Sequence, residues 1–153
     1  FNSFESSSIG RLFDGVSALL GLCSKATYEA QGAVRLESIA ENVAARYEYR
    51  LHWDNGCRVI DYEGILQGVL QDLGKGVKPS EISGKFHNTI TDFTYVCIRE
   101  LSRATGINTI VLSGGCFENN LLLERLTDKL TGSGFQVFFP EKLPCNDGGI
   151  SFG

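Results

Sequence analysis

The sequence predicts an α/β fold, and three observations carry that prediction. Residues 107–112 are a short, largely apolar run, residues 135–139 are another, and a leucine-rich stretch of helical spacing lies between them. Strand, helix and strand in that order form a βαβ unit with parallel strands. Upstream, the apolar residues of 9–20 and of 79–105 recur every three or four positions, as on amphipathic helices. Between those helices, Asp54-Asn55-Gly56 separates two strand-like stretches, which is a hairpin signal.

Taken in order, a polar start over 1–8 offers Ser7 or Ser8 as a cap for a first helix through Ile9, Leu12, Phe13, Val16, Leu19 and Leu20, which Gly21 ends. A second helix is expected from near Tyr28 to about Tyr47, with Glu29 in its first turn, where a carboxylate suits the helix dipole. Tyr49, Leu51 and Trp53 alternate with polar residues, and 58–60 supply the partner strand. Asp61 can cap a short helix through Ile65, Val69 and Leu73, which Gly74 and Gly76 terminate. Pro79 opens the longest helix, with Ile82, Phe86, Ile90, Phe93 and Leu101 on its stripe, running to Thr105-Gly106. The final helix is expected over 118–131. No repeat, low-complexity run or linker divides the chain, so 1–153 reads as one domain.

Composition narrows the function. A net charge of -4 without a lysine or arginine cluster argues against nucleic acid as a partner. No apolar run approaches a membrane span, and no basic-then-apolar leader opens the chain. Five cysteines without a CxxC pair suggest neither a zinc framework nor a disulfide scaffold, and fit a reducing cytoplasm. Methionine is absent, position 1 included, which suggests a piece of a larger protein cut at both ends.

The βαβ unit places ligands at the carboxyl ends of its strands, which here means Ser113 to Asn119 and the segment after Phe139. In Ser113-Gly114-Gly115-Cys116-Phe117-Glu118-Asn119 the paired glycines let backbone N–H groups approach an anion, and a helix N-terminus follows. The sequence fits a nucleotide phosphate or a tight turn capped by Asn119. Asn146-Asp147-Gly148-Gly149 offers Asp147 as a ligand for a metal or for a nucleotide's magnesium, or else an Asx-turn or cap. Asp14 could bond a ribose hydroxyl or pair with Arg11 three residues before it. Glu29 and Gln31 put an acid and an amide at a helix start, where capping is the plainer use. His52 and His87 lack companions at ligand spacing, and His87 suits packing or hydrogen bonding.

Together, Ser8-Ile9-Gly10-Arg11-Leu12-Phe13-Asp14, Leu20-Gly21-Leu22, Tyr28-Glu29-Ala30-Gln31, Phe86-His87, the Ser113 to Asn119 loop and Asn146-Asp147-Gly148-Gly149-Ile150 resemble the C-terminal part of the HypF carbamoyltransferases, relatives of TsaD and the antibiotic O-carbamoyltransferases. The resemblance implies one lobe, mostly the second, of an actin/sugar-kinase/Hsp70-like (ASKHA) fold, with nucleotide in an interlobe cleft. It further implies that carbamoyl phosphate and ATP give carbamoyl adenylate, whose carbamoyl group passes to the C-terminal cysteine of HypE, for the cyanide ligands of [NiFe] hydrogenase. By position, Gly114, Gly115 and Asn119 match the nucleotide loop, Asp14, Glu29 and Gln31 the ribose and adenine side, and Asp147 a metal-ligating aspartate. Cys116 and Ala30 stand where relatives more often carry valine and glycine.

The resemblance implies ATP, Mg2+ and a divalent metal, zinc or iron, in the full-length protein. The family's other metal ligands are histidines of an HxxxH motif that this chain lacks, so the isolated chain is expected to bind metal negligibly and to show no transferase activity. Two alternatives stay open: a TsaD-like tRNA threonylcarbamoyltransferase, and a nucleotide-binding or interaction module without catalysis.

Overall fold

The computed structural model describes residues 7–140, 142, 144–146 and 148–149. Helix α1 spans Ile9–Leu19 and α2 spans Gln31–Ile39. Strands β1 (Arg50–Asp54) and β2 (Cys57–Asp61) form an antiparallel hairpin. Helices α3 (Glu63–Gly74) and α4 (Pro79–Thr105) follow. Strand β3 (Thr109–Val111), a 3-10 turn (Gly115–Glu118), helix α5 (Asn120–Thr131) and strand β4 (Gln136–Phe138) complete the predicted βαβ unit, with β3 and β4 parallel.

Helix α4 is the spine. Its first half buries Ile82, Phe86, Ile90 and Phe93 against Phe13 and Val16 of α1, Leu36 of α2, and Ile65 and Val69 of α3. Each such side chain removed from water contributes about 1.5–3 kcal/mol. Its second half supplies Tyr95 and Ile98 to a smaller core, where Leu112, Leu126 and Leu130 meet Ile110 and Val137. Only one face of the β3–β4 pair is covered, because Val111 and Phe138 on the other face are 67% and 57% exposed.

The hairpin turns as read: Asn55 and Gly56 both have positive φ, 46° and 79°, as a two-residue type I′ turn requires. Gly106 stops α4 in the left-handed region, with φ 74°. Four expectations need correction. Ser8 takes the N-cap position of α1 without a side-chain cap bond. Asp61 precedes Tyr62, the N-cap of α3, although its carboxylate still accepts from the Glu63 N–H at 2.9 Å. The last helix starts at Asn120 instead of 118, because the 3-10 turn intervenes.

The second helix differs most, starting at Gln31 instead of near Tyr28, which leaves Glu29 outside its first turn, and ending at Ile39 instead of near Tyr47. Beyond it the backbone bonds across to α4: Glu41 N–H to the Ser80 carbonyl at 3.0 Å, the Val43 and Ala45 carbonyls to the Asn88 amide, and Tyr47 N–H to Thr89 Oγ1 at 2.9 Å. A Cβ at Gly84 would collide with the Glu41 carbonyl oxygen, so the crossing needs that glycine. Tertiary hydrogen bonds replace the helical ones here, which no local propensity reports.

Candidate functional site

A cavity of about 870 Å³ lies between the start of α1, the segment 26–37, the glycine turn and Asn146. From α1 come Gly10, Arg11, Phe13 and Asp14, and from α2 and its approach come Tyr28, Glu29, Ala30, Ala33, Val34 and Glu37. Gly115, Cys116, Glu118 and Asn119 close the third side. Four predicted residues therefore meet here: Asp14, Glu29, Gly115 and Asn119. Gln31 and Gly114 do not line the cavity, and Asp147 lies outside the described residues.

The α1 wall is set by close packing. A Cβ at Gly32 would stand 2.9 Å from Asp14 Oδ1 and 3.3 Å from its Cα, so α2 approaches α1 where it carries no side chain. Asp14 pairs loosely with Arg11 at 3.8 Å, the arginine exposed and the aspartate half-buried. Gln31 is buried, and its Oε1 accepts from the Thr27 N–H at 2.8 Å, closing the turn that presents Tyr28 and Glu29. Ala30, in that turn, has φ 58°, a left-handed conformation that favours glycine.

Just before the opposite wall, Gly114 has φ 107° and ψ 155°, a region essentially confined to glycine. Its N–H donates to the Cys145 carbonyl at 2.8 Å, joining the two loops at the strand ends. Nothing stands within 4 Å of a Cβ built on Gly114, so space is open beside it. Asn146 donates to Glu118 Oε1, and its Oδ1 accepts from Gly148 N–H at 2.8 Å, so Asn146 forms an Asx-turn.

The α5 N-terminus has partners of its own. Asn119 Oδ1 accepts from Leu122 N–H at 2.9 Å, and Glu37 Oε1 accepts from Leu121 N–H at 3.2 Å. The Asn119 cap is thus formed. Sequence reasoning missed Glu37, although Ala30, Ala33, Val34 and Glu37 recur at helical spacing and all line the cavity. Asn119 Nδ2 stands 3.0 Å from His87 Nε2, and His87 is fully buried in the core.

Among the described lining residues, Asp14, Glu29, Glu37 and Glu118 oppose one guanidinium, that of Arg11. A polyphosphate is repelled by such a wall unless cations accompany it. Burial pushes the Cys116 thiol up despite a hydrogen bond with the Gly10 backbone, so it is not poised as a nucleophile at neutral pH. The cavity's size and the Gly115 backbone on its wall fit a nucleotide. Among the described residues, which leave out Asp147, no group of three His, Cys, Asp or Glu side chains could hold a metal ion. No helix among them is long and apolar enough to cross a membrane.

An α/β scaffold with a glycine turn at its strand ends, facing an acidic cavity, defines a carbamoyltransferase-like domain once its relatives are compared. The family described as carbamoyltransferase, Kae1-like domain, second subdomain matches residues 1–153. A crystal structure of full-length HypF in the phosphate- and nucleotide-bound form superimposes with a TM-score of 0.91 at 48% identity, over 95% of this chain and 23% of that one. The carbamoyltransferase HypF of Synechocystis sp. is 35% identical over 96% of this chain. A tRNA N6-adenosine threonylcarbamoyltransferase of Thermotoga neapolitana is 27% identical over 94% of it and 43% of its own length. The chain belongs to the HypF-type carbamoyltransferase family, as the second subdomain of its Kae1-like domain. It spans 19% of the length of the Synechocystis relative.

Proposed function

We propose that this chain supplies the nucleotide-holding lobe of a cytoplasmic carbamoyltransferase that makes carbamoyl adenylate from carbamoyl phosphate and ATP and passes the carbamoyl group to the C-terminal cysteine of HypE. The observation that carries the reading is the convergence of Asp14, Glu29, Gly115 and Asn119, from three separate stretches of chain, on one cavity. Asp14 and Glu29 would accept from ribose hydroxyls. The backbone at Gly114 and Gly115 would face the phosphates, with Asn119 holding the start of α5. Gln31 enters through the turn it closes. Asp147 would contribute one ligand to a divalent metal whose histidine ligands lie elsewhere in the full-length protein, and the isolated chain would be inactive.

The acidic wall adds a requirement: ATP binds as its magnesium complex, and removing Mg2+ weakens binding by at least about tenfold. The test is ATP titration of the chain beside a Gly114→Val variant, with carbamoyl-phosphate-dependent exchange between ATP and pyrophosphate measured on the full-length protein. Unchanged ATP binding by Gly114→Val removes the phosphate-loop assignment. Absence of exchange removes the transferase reading. The similarity to the threonylcarbamoyltransferase supports a second reading, in which the full-length protein binds tRNA and ignores HypE.

A further inference from the structure

His87 is the buried titratable group that the proposed chemistry leaves unused, and it touches both sides of the cavity. Toward α1 its ring meets Phe13 edge-on, with centroids 5.5 Å apart, and Phe13 and the adjacent Asp14 both line the cavity. Toward α5 its Nε2 faces Asn119 Nδ2 at 3.0 Å, and within α4 its Nδ1 lies 2.8 Å from the Ser83 carbonyl oxygen. A carbonyl only accepts, so Nδ1 carries the proton and Nε2 offers a lone pair. Asn119 must then turn its NH2 toward His87, which leaves Oδ1 for the Leu122 N–H. One buried acceptor selects one of the two faces of the amide.

We propose that His87 is a positioning residue for this cavity: its unprotonated Nε2 sets the amide orientation of Asn119 and its ring seats Phe13, holding the α1 wall and the α5 start in one register around a bound nucleotide. The role rests on the nucleotide reading above. His87 acts through Asn119 and Phe13 and meets no ligand itself. A packing role alone would need only its volume.

The test is the ATP dependence of the exchange reaction in the full-length protein, with melting temperature measured in parallel, for His87→Leu and His87→Gln. Leucine fills the space and offers no acceptor, whereas the glutamine Oε1 can reach the place of Nε2. His87→Leu should raise KM for ATP about tenfold with kcat within about threefold, and His87→Gln should recover most of the loss whatever its melting temperature. A KM that simply follows melting temperature across both variants, or no recovery in His87→Gln, overturns the proposal.

If His87→Leu does not fold, Asn119→Asp decides the point. Aspartate keeps the cap oxygen but replaces the NH2 with a second acceptor, so 15N spectra of this chain should show the His87 proton on Nδ1 in the wild type and Nε2 protonated in the variant. Identical spectra refute the hydrogen bond. A wild-type enzyme without exchange activity removes the transferase reading, while these spectra still test the His87–Asn119 pair.

Discussion

Acidifying the solution from about pH 7 to about pH 4.5 should destabilise this chain largely through His87. Burial lowers its pKa from the ordinary 6.5 to about 4; the hydrogen bond to the Ser83 carbonyl opposes that shift, and the nearby Arg125 charge adds to it. Below pH 6.5 the unfolded chain takes up a proton that the folded chain refuses until about pH 4, so stability is complete above 6.5 and is lost as pH falls through that window. At pH 4.5 the linkage amounts to about 2.5 kcal/mol. For a chain of this length that is a fall of about 5–10 °C in melting temperature. A charged imidazole would also set an Nε2–H against the Asn119 NH2, two donors face to face. The assay is urea unfolding at intervals from pH 7 to 4.5, with His87→Gln as the reference that keeps His52 and every carboxylate. Asp92 is lowered despite its burial, because Lys129, Tyr49 and Arg46 hold it ionised, so its own loss comes later, below the ordinary carboxylate range. Equal slopes in wild type and His87→Gln, or a His87 that titrates near 6.5 by NMR, would refute the reasoning.

Two substitutions test backbone positions, one beside the cavity and one where the 41–47 segment crosses α4. Ala30→Gly should stabilise the chain by about 0.5–1 kcal/mol, since relief of a left-handed alanine, about 1–2 kcal/mol, exceeds the freedom that glycine restores to the unfolded state; a lower urea midpoint would contradict it. Gly84→Ala should destabilise by on the order of 2 kcal/mol although alanine is the better helix former by about 1, because the added methyl meets the Glu41 carbonyl oxygen. A raised urea midpoint for Gly84→Ala would show that the 41–47 segment moves aside freely.

Much of the candidate site was legible because its members sit in short local motifs. The glycine turn, the Asn119 cap and the acids at 14 and 29 each announce themselves through residue type and position. Glu37 and His87 do not. Glu37 is one carboxylate on an ordinary helix, and only the arrival of α5 gives it the Leu121 N–H to accept. His87 lies on the core stripe of α4, and only the fold brings Asn119, 32 residues later, to its Nε2.

The sequence alone determined the element order, the hairpin turn, the ends of α1 and α4 and the βαβ unit, because these depend on periodicity and on backbone freedom at a few glycines and one asparagine, all local properties. Tertiary structure decided where α2 ends, since the backbone of 41–47 finds better partners on α4 than within a helix of its own. It also decided which polar residues serve the cavity and which serve the scaffold. Gln31 closes a turn, Asn119 divides its amide between a cap and a histidine, and Asp14 packs beside Gly32, where α2 carries no side chain. Residue types supply donors and acceptors, but their partners depend on packing between segments far apart in the chain.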